Sequence, residues 1–412
     1  MISAASGYVS VVTGRERALD DFLGDYLVLT LRLDRLMPGL ADIGNLDPDR
    51  RQRVAEAPAP KPADLVRQSG RLVDELVDLQ LDPVRHAFLS GQLHAVEYTA
   101  RRLTGQSVPY LREVLECLDV VPRLGRVDEY AAVHAELDAL LPGPGPLVHR
   151  LAWYRRAQEV PRQRLDAAVA ALCELFRDRT GALVPLPPGE NVSFQIVHDA
   201  PWSALHRYCG RFRSQITVNA GARPRRTQLA QLVAHEAYPG HHTERCRKEA
   251  GIGRAWPEHA VLVANSPQSV VVEGAAELGL AAVLGPGWGP LVADALAGLG
   301  LDFDGELAER VEAATARLAR VRQDAALLLH DRGAPVELVL AHLRRWLLVD
   351  EPRARQILRF TRQPVWRGYT TTYVEGAELV GAWWARDPGP ERLRRLLDEP
   401  LTPRALRAEL AS

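Results

Sequence analysis

The segment HEAYPGHHTE, residues 235–244, places histidines beside a glutamate in a pattern close to a known zinc-binding motif. In that motif, H-E-x-x-H, two histidines one helical turn apart bind the metal, and the glutamate accepts a proton from water. His235 and Glu236 match the first two positions, but Pro239 occupies the position of the second histidine. The segment therefore predicts metal-assisted hydrolysis only if a later histidine completes the site.

Pro239 changes where the later histidines lie. On an unbroken helix His241 would be rotated about 120° from the face of His235, and His242 would lie about 10.5 Å further along the axis. Proline cannot donate the i to i−4 hydrogen bond and would clash with the carbonyl of His235, so the helix should kink or stop just before it. Gly240 can then adopt a conformation closed to other residues. This break would bring His241 or His242 back towards a metal held by His235.

The residues before the motif predict a helix that holds Glu236 on its apolar face. Leu229, Val233 and Glu236 recur at spacings of four and three residues, as on one side of a helix. An ionised carboxylate in that position is costly without a partner. A divalent metal ion would satisfy His235 as a ligand, and water on that metal would satisfy Glu236. Glu236 is therefore the predicted general base.

A third ligand is predicted in the apolar segment SVVVEGAAELGLAA, residues 269–282. Zinc in a catalytic site takes three protein ligands and keeps a fourth position open. Glu273 and Glu277 lie four residues apart, on the same face of the predicted helix. One acid could bind the metal while the other orients a ligating histidine. The alternative is that both acids pair with buried arginines.

Near the C-terminus, the segment VWRGYTTTYVEGAELVGAWW, residues 365–384, combines tyrosines, an arginine and acids. Tyr369 or Tyr373 could donate a hydrogen bond to the oxyanion of a tetrahedral intermediate. Arg367 could bind a carboxylate of the substrate through two hydrogen bonds. The alternative is a helix whose aromatic side chains only pack.

Two short segments before the motif alternate in the manner of strands: SFQIVH, 193–198, and RSQITVN, 213–219. They predict a small sheet beside the metal site. An exposed edge strand could bind an extended peptide as an additional strand, or the strands could only pack. His198 and His206 flank these segments and could line the cleft, although a single histidine is more often structural.

The rest of the sequence follows a helical pattern and predicts a mainly α fold. In ADLVRQSGRLVDELVDLQ, residues 63–80, leucines recur at helical spacings, and similar runs continue towards the C-terminus. Several breaks rich in proline and glycine are too short for flexible linkers and predict turns. These breaks are 56–62, 141–147, 184–191 and 284–290. We expect residues 1–412 to form one large helical domain or two lobes, with a helical part at 1–185 and a metal-binding part at 186–412.

Charge and composition favour a small substrate. The 51 basic and 52 acidic residues nearly cancel, and neither sign forms a long run, so the sequence indicates no surface for nucleic acid or for a membrane. The first 22 residues lack a basic start followed by an apolar region, and no stretch reaches the roughly 20 apolar residues of a membrane span. The sequence predicts a cytoplasmic protein acting on a peptide or small molecule, with its oligomeric state open.

The segment HEAYPGHH, followed by VVEGAAE and later by YTTTYVEGAELV, resembles the large bacterial family of unknown function numbered 885. Members of that family carry H-E-x-x-P-G-H-H, a later E-G-W motif and a C-terminal Y-x-x-G segment. They are similar to zinc metallopeptidases of the gluzincin type, such as the thermostable carboxypeptidases, angiotensin-converting enzyme and neurolysin. The resemblance covers most of the chain and implies a large helical, gluzincin-like fold with a deep cleft and a small sheet beside it.

Position by position, the resemblance implies a ligand set for one divalent metal ion, made by His235, His241 and Glu273. It also implies Glu236 as the general base and Tyr373 as a group that stabilises the transition state. For the second histidine ligand, the resemblance therefore favours the first histidine of the pair.

Two positions depart from the family pattern. Ala275 stands where the family has the tryptophan of its E-G-W motif, and Leu278 stands where it has a nearby tyrosine. These departures predict an enlarged or reshaped pocket. They leave the metal ligands intact but leave the substrate open, because function resides in the site and not in the fold.

Three functions follow as hypotheses. The first is a zinc-dependent hydrolase, a metallopeptidase or similar enzyme, that cleaves a peptide or a small amide bond. The second is a metal-dependent tailoring enzyme of specialised metabolism with a non-peptide substrate. Two histidines and one carboxylate also suit non-haem iron, and manganese is a further alternative. The third is a binding protein without catalysis, which an ion pair between Glu236 and an arginine would favour.

Overall fold

A computed structural model describes residues 8–44, 48–200 and 202–412, and most of these residues are helical. The helices are α1 (Tyr8–Leu36), α2 (Pro48–Glu56), α3 (Pro62–Asp78), α4 (Pro83–Leu103), α5 (Tyr110–Leu118), α6 (Val127–Leu140), α7 (Leu147–Ala157), α8 (Leu165–Leu183), α9 (Arg226–Glu236), α10 (His241–Ala250), α11 (Pro267–Leu284), α12 (Trp288–Ala297), α13 (Gly305–Ala316), α14 (Arg320–His330), α15 (Val336–Leu347), α16 (Glu351–Arg362), α17 (Thr370–Ala385), α18 (Pro390–Asp398) and α19 (Pro403–Ala411). The strands are β1 (Ala41–Ile43), β2 (Asn191–Val197), β3 (Ala204–Gly210), β4 (Arg213–Asn219) and β5 (Val261–Val263). The predicted mainly α fold is confirmed.

The breaks rich in proline and glycine are turns between elements, as predicted. Residues 56–62 connect α2 to α3, and residues 141–147 connect α6 to α7. Residues 184–191 lead from α8 into β2, and residues 284–290 connect α11 to α12. Helices α3, α4 and α11 each begin with a proline in the first turn. Proline is tolerated there because the missing N–H has no partner within the helix.

The predicted small sheet has three strands in the order β2, β4, β3. Strand β2 runs parallel to β4 and begins two residues before the predicted segment, at Asn191, while β4 matches its predicted bounds. Strand β3 pairs antiparallel with the other side of β4 and was not predicted. Its sequence ALHRYCG has little apolar alternation, with Tyr208 as its one fully buried large side chain. Antiparallel pairing with β4 therefore decides its conformation more than its own composition does.

Helix α11 is the central apolar helix of the molecule and packs along α17. A Cβ atom at Gly274 would lie 2.3 Å from the carbonyl oxygen of Gly376, so this close approach requires glycine. By length and composition α11 is the one described helix that could cross a membrane, but 67% of its 18-residue window is buried inside the protein. It is the core helix that carries Glu273 and Glu277.

The core beneath the predicted metal site joins α8 to the sheet and to α9. Leu172 of α8, Ile216 of β4 and Leu229 of α9 are fully buried in the same apolar cluster. This packing fixes α9 against the sheet. The division of the chain into 1–185 and 186–412 stays a prediction.

Candidate metal centre

A sharp turn separates the two helices that carry the motif. Helix α9 ends at Glu236 and α10 begins at His241, with Pro239 and Gly240 between them. The N–H of Gly240 donates back to a carbonyl of the last turn of α9 at 2.9 Å. A Cβ atom on Gly240 would lie 1.8 Å from the carbonyl oxygen of His235, so the turn requires glycine. The helix therefore stops where the proline predicts, and the chain folds back on itself.

The turn brings three side chains from α9, α10 and α11 together: His235, His241 and Glu273. The two imidazole rings are nearly perpendicular, with centroids 4.7 Å apart. Nε2 of His235 lies 3.3 Å from Oε2 of Glu273, and Nε2 of His241 lies 3.6 Å from Oε1 of the same carboxylate. One donor atom from each of the three residues lies within 4.8 Å of the others. Two ligands bound to tetrahedral zinc at about 2.1 Å are themselves about 3.4 Å apart, so these donors fit such an ion.

The unsatisfied hydrogen-bonding capacity of Glu273 also fits a metal ion. Its side chain is buried, and its Oε2 atom accepts no hydrogen bond. Buried carboxylate oxygens without donors are rare and call for an unseen partner. In the described part of the chain, Glu273, Glu277 and Glu236 form no ion pair with an arginine or a lysine. The alternative interpretation, in which buried arginines neutralise Glu273 and Glu277, is therefore not what the structure contains.

The local charge is strongly negative. Burial disfavours the charged form of His235, but the carboxylates of Glu273, Glu277 and Glu236 outweigh this and raise the pKa of the imidazole to about 10. Burial also raises the pKa of the Glu236 carboxyl to about 7, with Glu273 and Glu277 acting in the same direction. Carboxylates that hold a histidine in its charged form would equally stabilise a metal cation at that point.

Two neighbours hold the candidate ligands in place. Oε1 of Glu277 lies 3.4 Å from Nδ1 of His235, on the side of the ring opposite to Glu273. This is the orienting role predicted for one of the two acids of α11. The Tyr369 hydroxyl donates a 2.6 Å hydrogen bond to Oε1 of Glu273. Tyr369 therefore contacts the carboxylate ligand directly, which separates its role from that of Tyr373.

Tyr373 lies on the wall of the cleft beside the candidate metal centre. Its ring centroid is 6.3 Å from that of His235 and 5.4 Å from that of Tyr369. Its hydroxyl makes no hydrogen bond to any residue that the structure describes, and it lines the same cavity as Glu236. Of the two tyrosines, Tyr373 is the one whose hydroxyl is available to a bound substrate.

His242 points away from the candidate metal centre and is fully buried. Its Nδ1 lies 2.8 Å from the hydroxyl of Ser214, and its Nε2 lies 2.9 Å from Oε2 of Glu190. Tyr238 donates to the same oxygen of Glu190 at 2.5 Å. These contacts anchor the turn to the sheet and to the segment before β2. Sequence reasoning missed Glu190 and Ser214, because neither stands in a recognisable motif.

Arg367 and His198 lie away from the centre. The guanidinium of Arg367 forms an ion pair with the buried carboxylate of Glu113, so it does not line the cleft as predicted. An arginine in a segment of aromatics can pair with any acid nearby, and the sequence does not indicate which. His198 lines a neighbouring cavity. His206 on β3 does line the cleft, with its ring centroid 5.7 Å from that of His241 and its Nε2 2.9 Å from Ser214 Oγ.

The expected enlargement of the pocket by Ala275 and Leu278 is also corrected. Both residues pack in the apolar cluster of Val380 and Trp383, between α11 and α17. Neither lines the cleft. The reason is helical geometry, because positions two and five residues beyond Glu273 lie roughly 200° and 140° round the helix from it.

The cleft above the centre has a volume of about 820 Å³. Apolar side chains cover much of its wall, including Leu205 of β3, Trp366 and Phe360, and the three candidate metal ligands also line it. This volume lies within the usual range of ligand-binding cavities. The chain thus combines a mainly helical fold with a candidate centre for a divalent metal ion on the wall of a cleft.

No protein-family model matches the sequence, and no curated protein matches it. Among solved structures, a "putative lipoprotein" from Colwellia psychrerythraea superposes with a TM-score of 0.50 at 14% identity, over 85% of this chain and 70% of that one. A "putative lipoprotein of unknown function" from Shewanella oneidensis gives a TM-score of 0.48 at 12% identity, over 88% of this chain and 76% of that one. An M32 carboxypeptidase from Deinococcus radiodurans R1 gives 0.38 at 13% identity, over 93% and 89%. At such identities the likeness concerns the fold alone.

The predicted cytoplasmic location is contradicted by this comparison. The structure from Colwellia psychrerythraea is of a protein described as a lipoprotein, a class that is attached to membranes or secreted. The prediction relied on the composition of the first 22 residues, and residues 1–7 lie outside those that the structure describes. The amino-acid composition of a chain does not define the cellular compartment in which the protein is found.

Proposed function

We propose that this protein is a metal-dependent hydrolase that cleaves a peptide bond or another small amide bond. The observation that carries the proposal is the convergence of His235, His241 and Glu273, with Glu236 beside them in the cleft and free of any ion pair with arginine or lysine in the described chain. Two nitrogen ligands and one carboxylate, with a position left open, form a donor set typical of catalytic zinc. Zinc is therefore the metal that we propose.

When held by His235, His241 and Glu273, zinc would supply Lewis acidity to a carbonyl group and to water. Glu236 would act as the general base, because it follows a ligand directly in sequence and its carboxylate faces the same cavity. It would accept a proton from the attacking water and release that proton to the leaving nitrogen. The proton transfer requires Glu236 to remain unpaired, as it is here.

The surrounding groups position these residues. Glu277 fixes the ring of His235 through Nδ1, and Tyr369 fixes the carboxylate of Glu273. Tyr373 would donate its hydroxyl hydrogen to the oxygen that becomes negative in the tetrahedral intermediate. Glu277 and Tyr369 would thus position the metal ligands, whereas Tyr373 would contact the substrate.

Strand β3 supports a peptide as the substrate. It is an edge strand of the three-stranded sheet, and Ala204, Leu205 and His206 from it line the cleft. An extended peptide could pair with such an edge and place one of its bonds beside the centre. Leu205, which is 49% exposed, would contact a side chain of that peptide.

Chelation tests the proposal directly. The purified protein is incubated with a mixture of oligopeptides and small amides, and the products are identified by mass spectrometry. Cleavage should disappear after treatment with a chelator and return on addition of zinc. Cleavage that survives complete removal of metal would contradict the proposal. Elemental analysis of protein purified without added metal distinguishes zinc from iron and manganese.

We also propose that the chain is a member of family 885, on the strength of the HEAYPGHH segment and the order of the two later motifs. The proline and glycine of that segment have a clear structural role here, since they form the turn between α9 and α10. A profile built from family members, aligned with Gly240 and Glu273, would test the assignment.

A further inference from the structure

A second cavity of about 1290 Å³ opens beside the cleft. The two cavities share the wall residues Asp199, Ala200 and Gln356, so they lie side by side. Glu277, which contacts His235, lies on the wall of the second cavity. A molecule bound at the candidate metal centre could therefore extend into it.

Seven arginines line this second cavity, and four of them, from different parts of the chain, lie near enough to act on one another electrostatically: Arg155, Arg225, Arg322 and Arg353. They come from α7, the residue before α9, α14 and α16. We call this space the arginine chamber. Arginine is suited to carboxylates and phosphates because its planar group donates two parallel hydrogen bonds.

Three of these four arginine side chains form no ion pair with an acid in the described chain. In the described chain, Glu312 is the one acid paired with any of the four arginines, with Oε1 3.5 Å from Nη2 of Arg225. Glu312 also accepts a 2.8 Å hydrogen bond from Thr227. Arg225 keeps a buried Nε without an acceptor. The side chain of Arg322 makes no hydrogen bond or ion pair with any residue that the structure describes, and it lines the cavity.

Two of the arginines bind only neutral oxygens. Arg155 donates to the backbone carbonyl of Leu348 at 3.1 Å, and Arg353 donates to the side chain of Gln356 at 2.6 Å. Burial lowers the pKa of Arg155 to about 10, and the charges of the other three arginines act in the same direction. Burial and neighbouring arginines likewise lower the pKa of Arg353 to about 10. The four groups are thus close enough to repel one another, and an anion between them would relieve that repulsion.

Six acids also line the chamber (Glu159, Asp199, Glu277, Glu312, Asp350 and Glu351), and two of them, Asp350 and Glu351, have partners other than the four arginine side chains. Asp350 accepts a 3.0 Å hydrogen bond from the backbone N–H of Arg353 and caps α16. Glu351 lies 3.5 Å from Arg344 at the rim. Arg322, in contrast, is influenced electrostatically by Glu277, which contacts His235, and by Tyr373, which lines the cleft.

We propose that the arginine chamber binds an oxyanion group carrying two negative charges, either a phosphate or a pair of carboxylates, on the molecule that enters the cleft. That this molecule is the substrate rests on the proposed function. That the chamber binds an anion does not depend on the proposed function. The substrate class is then a peptide or amide whose end bears a phosphate or two carboxylates.

Calorimetric titration of the wild-type protein with inorganic phosphate, glutarate and butyrate tests the proposal. Phosphate or glutarate should bind saturably, and butyrate, with one charge, should bind at least about tenfold more weakly. The tighter of the two dianions identifies the chemistry of the natural group. Absence of saturable binding for both dianions, or equal affinity for butyrate and glutarate, would overturn the proposal.

The variants Arg322→Gln and Arg353→Gln locate the binding site. Arg322→Gln should weaken binding of the dianion at least about tenfold, and Arg355→Gln is the matched control, since that exposed arginine lies on α16 outside the chamber. Wild-type affinity in a folded Arg322→Gln variant, or in Arg353→Gln if the first does not fold, would overturn the proposal.

Binding by a metal ion is excluded with wild-type protein freed of metal by a chelator, which should bind the dianion as the untreated protein does. Loss of binding after chelation would assign the anion to the metal and overturn the proposal. Dianion binding in a wild-type protein that cleaves nothing would contradict the proposed function alone. Metal-dependent cleavage without dianion binding would contradict the arginine chamber alone.

Discussion

The two adjacent cavities contain charge clusters of opposite sign. In the cleft, the carboxylates of Glu236, Glu273 and Glu277 lie around the imidazole of His235. In the arginine chamber, only Arg225 among the four clustered arginines pairs with a carboxylate, that of Glu312. Inside proteins, charged groups usually meet partners of opposite sign, because removing an unpaired charge from water is costly. Each region departs from this rule, and we propose that each binds a partner that is not part of the chain.

The two regions differ in how firmly their charged side chains are fixed by neighbouring residues. The candidate ligands are fixed by short contacts, such as the 2.6 Å bond from Tyr369 to Glu273, and by a turn that accepts only glycine. In the arginine chamber, Arg322 has no partner among the described residues and the site is open. A metal site requires a fixed geometry, whereas flexible cations can adapt to several anions. We therefore expect strict selection at the first region and broader acceptance at the second.

The largest expected effect is the loss of bound metal when His241, but not its neighbour His242, is replaced. His241→Ala should lose stoichiometric metal, because it removes one of three donors. His242→Ala should keep the metal but lower the free energy of unfolding by about 1–3 kcal/mol, because Glu190 and Ser214 lose a buried partner. Elemental analysis after dialysis measures the metal content, and unfolding by urea measures the free energy of unfolding. Metal lost from His242→Ala and retained by His241→Ala would reverse the assignment.

The next largest effect concerns Glu236 and turnover. Glu236→Gln should lower kcat by about 10³-fold, since the amide cannot accept the proton, while metal content stays unchanged. Glu306→Gln, an exposed glutamate on α13, is the control and should keep full activity. Kinetics on a cleaved peptide and elemental analysis of the same preparations are the measurements. A Glu236→Gln enzyme with wild-type turnover would remove the general base from the mechanism.

A smaller effect should distinguish Tyr373, on α17, from Tyr369, the residue just before that helix. Tyr369→Phe should weaken metal affinity by about 10–100-fold, because the hydrogen bond to Glu273 is lost. Tyr373→Phe should leave metal affinity unchanged and lower kcat instead. Competition with a chelating dye gives the affinities. Equal metal affinity in Tyr369→Phe and wild type would show that Tyr369 does not position the ligand.

The smallest expected effect is on the stability of the protein when the arginine chamber holds no anion. Arg322→Gln should raise the free energy of unfolding by up to about 1 kcal/mol in buffer free of multivalent anions, because burial disfavours the charged guanidinium and no described residue pairs with it. Phosphate should then stabilise the wild type more than the variant. Urea unfolding with and without phosphate measures both. A variant less stable than the wild type in both buffers would mean that Arg322 has a structural role.

The sequence predicts features that depend on neighbouring residues. The helices, two of the strands and the end of α9 all follow from local spacing and from Pro239. Glu273 and Glu277 were found because acids in an apolar helix are conspicuous. Strand β3 was missed, because its conformation depends on pairing with β4.

Features assembled from distant parts of the chain were not predictable. The arginine chamber takes its four clustered cations from segments far apart in sequence, and none of those segments is unusual alone. Arg367 was assigned to the cleft, but its partner Glu113 lies on α5. Glu190 stands in a turn whose sequence shows no sign of the histidine it binds. Residue type alone does not predict which distant group a charge will meet.

The contact between Gly274 and Gly376 has a mechanical consequence. It joins the helix that carries Glu273 to the helix that carries Tyr373, at a separation that leaves no room for side chains. The two helices should therefore move as one rigid body, and the spacing between ligand and hydroxyl should survive any opening of the cleft. Product release would then depend on displacement of the opposite wall, where β3 lies, and its rate could change without altering the chemistry at the metal.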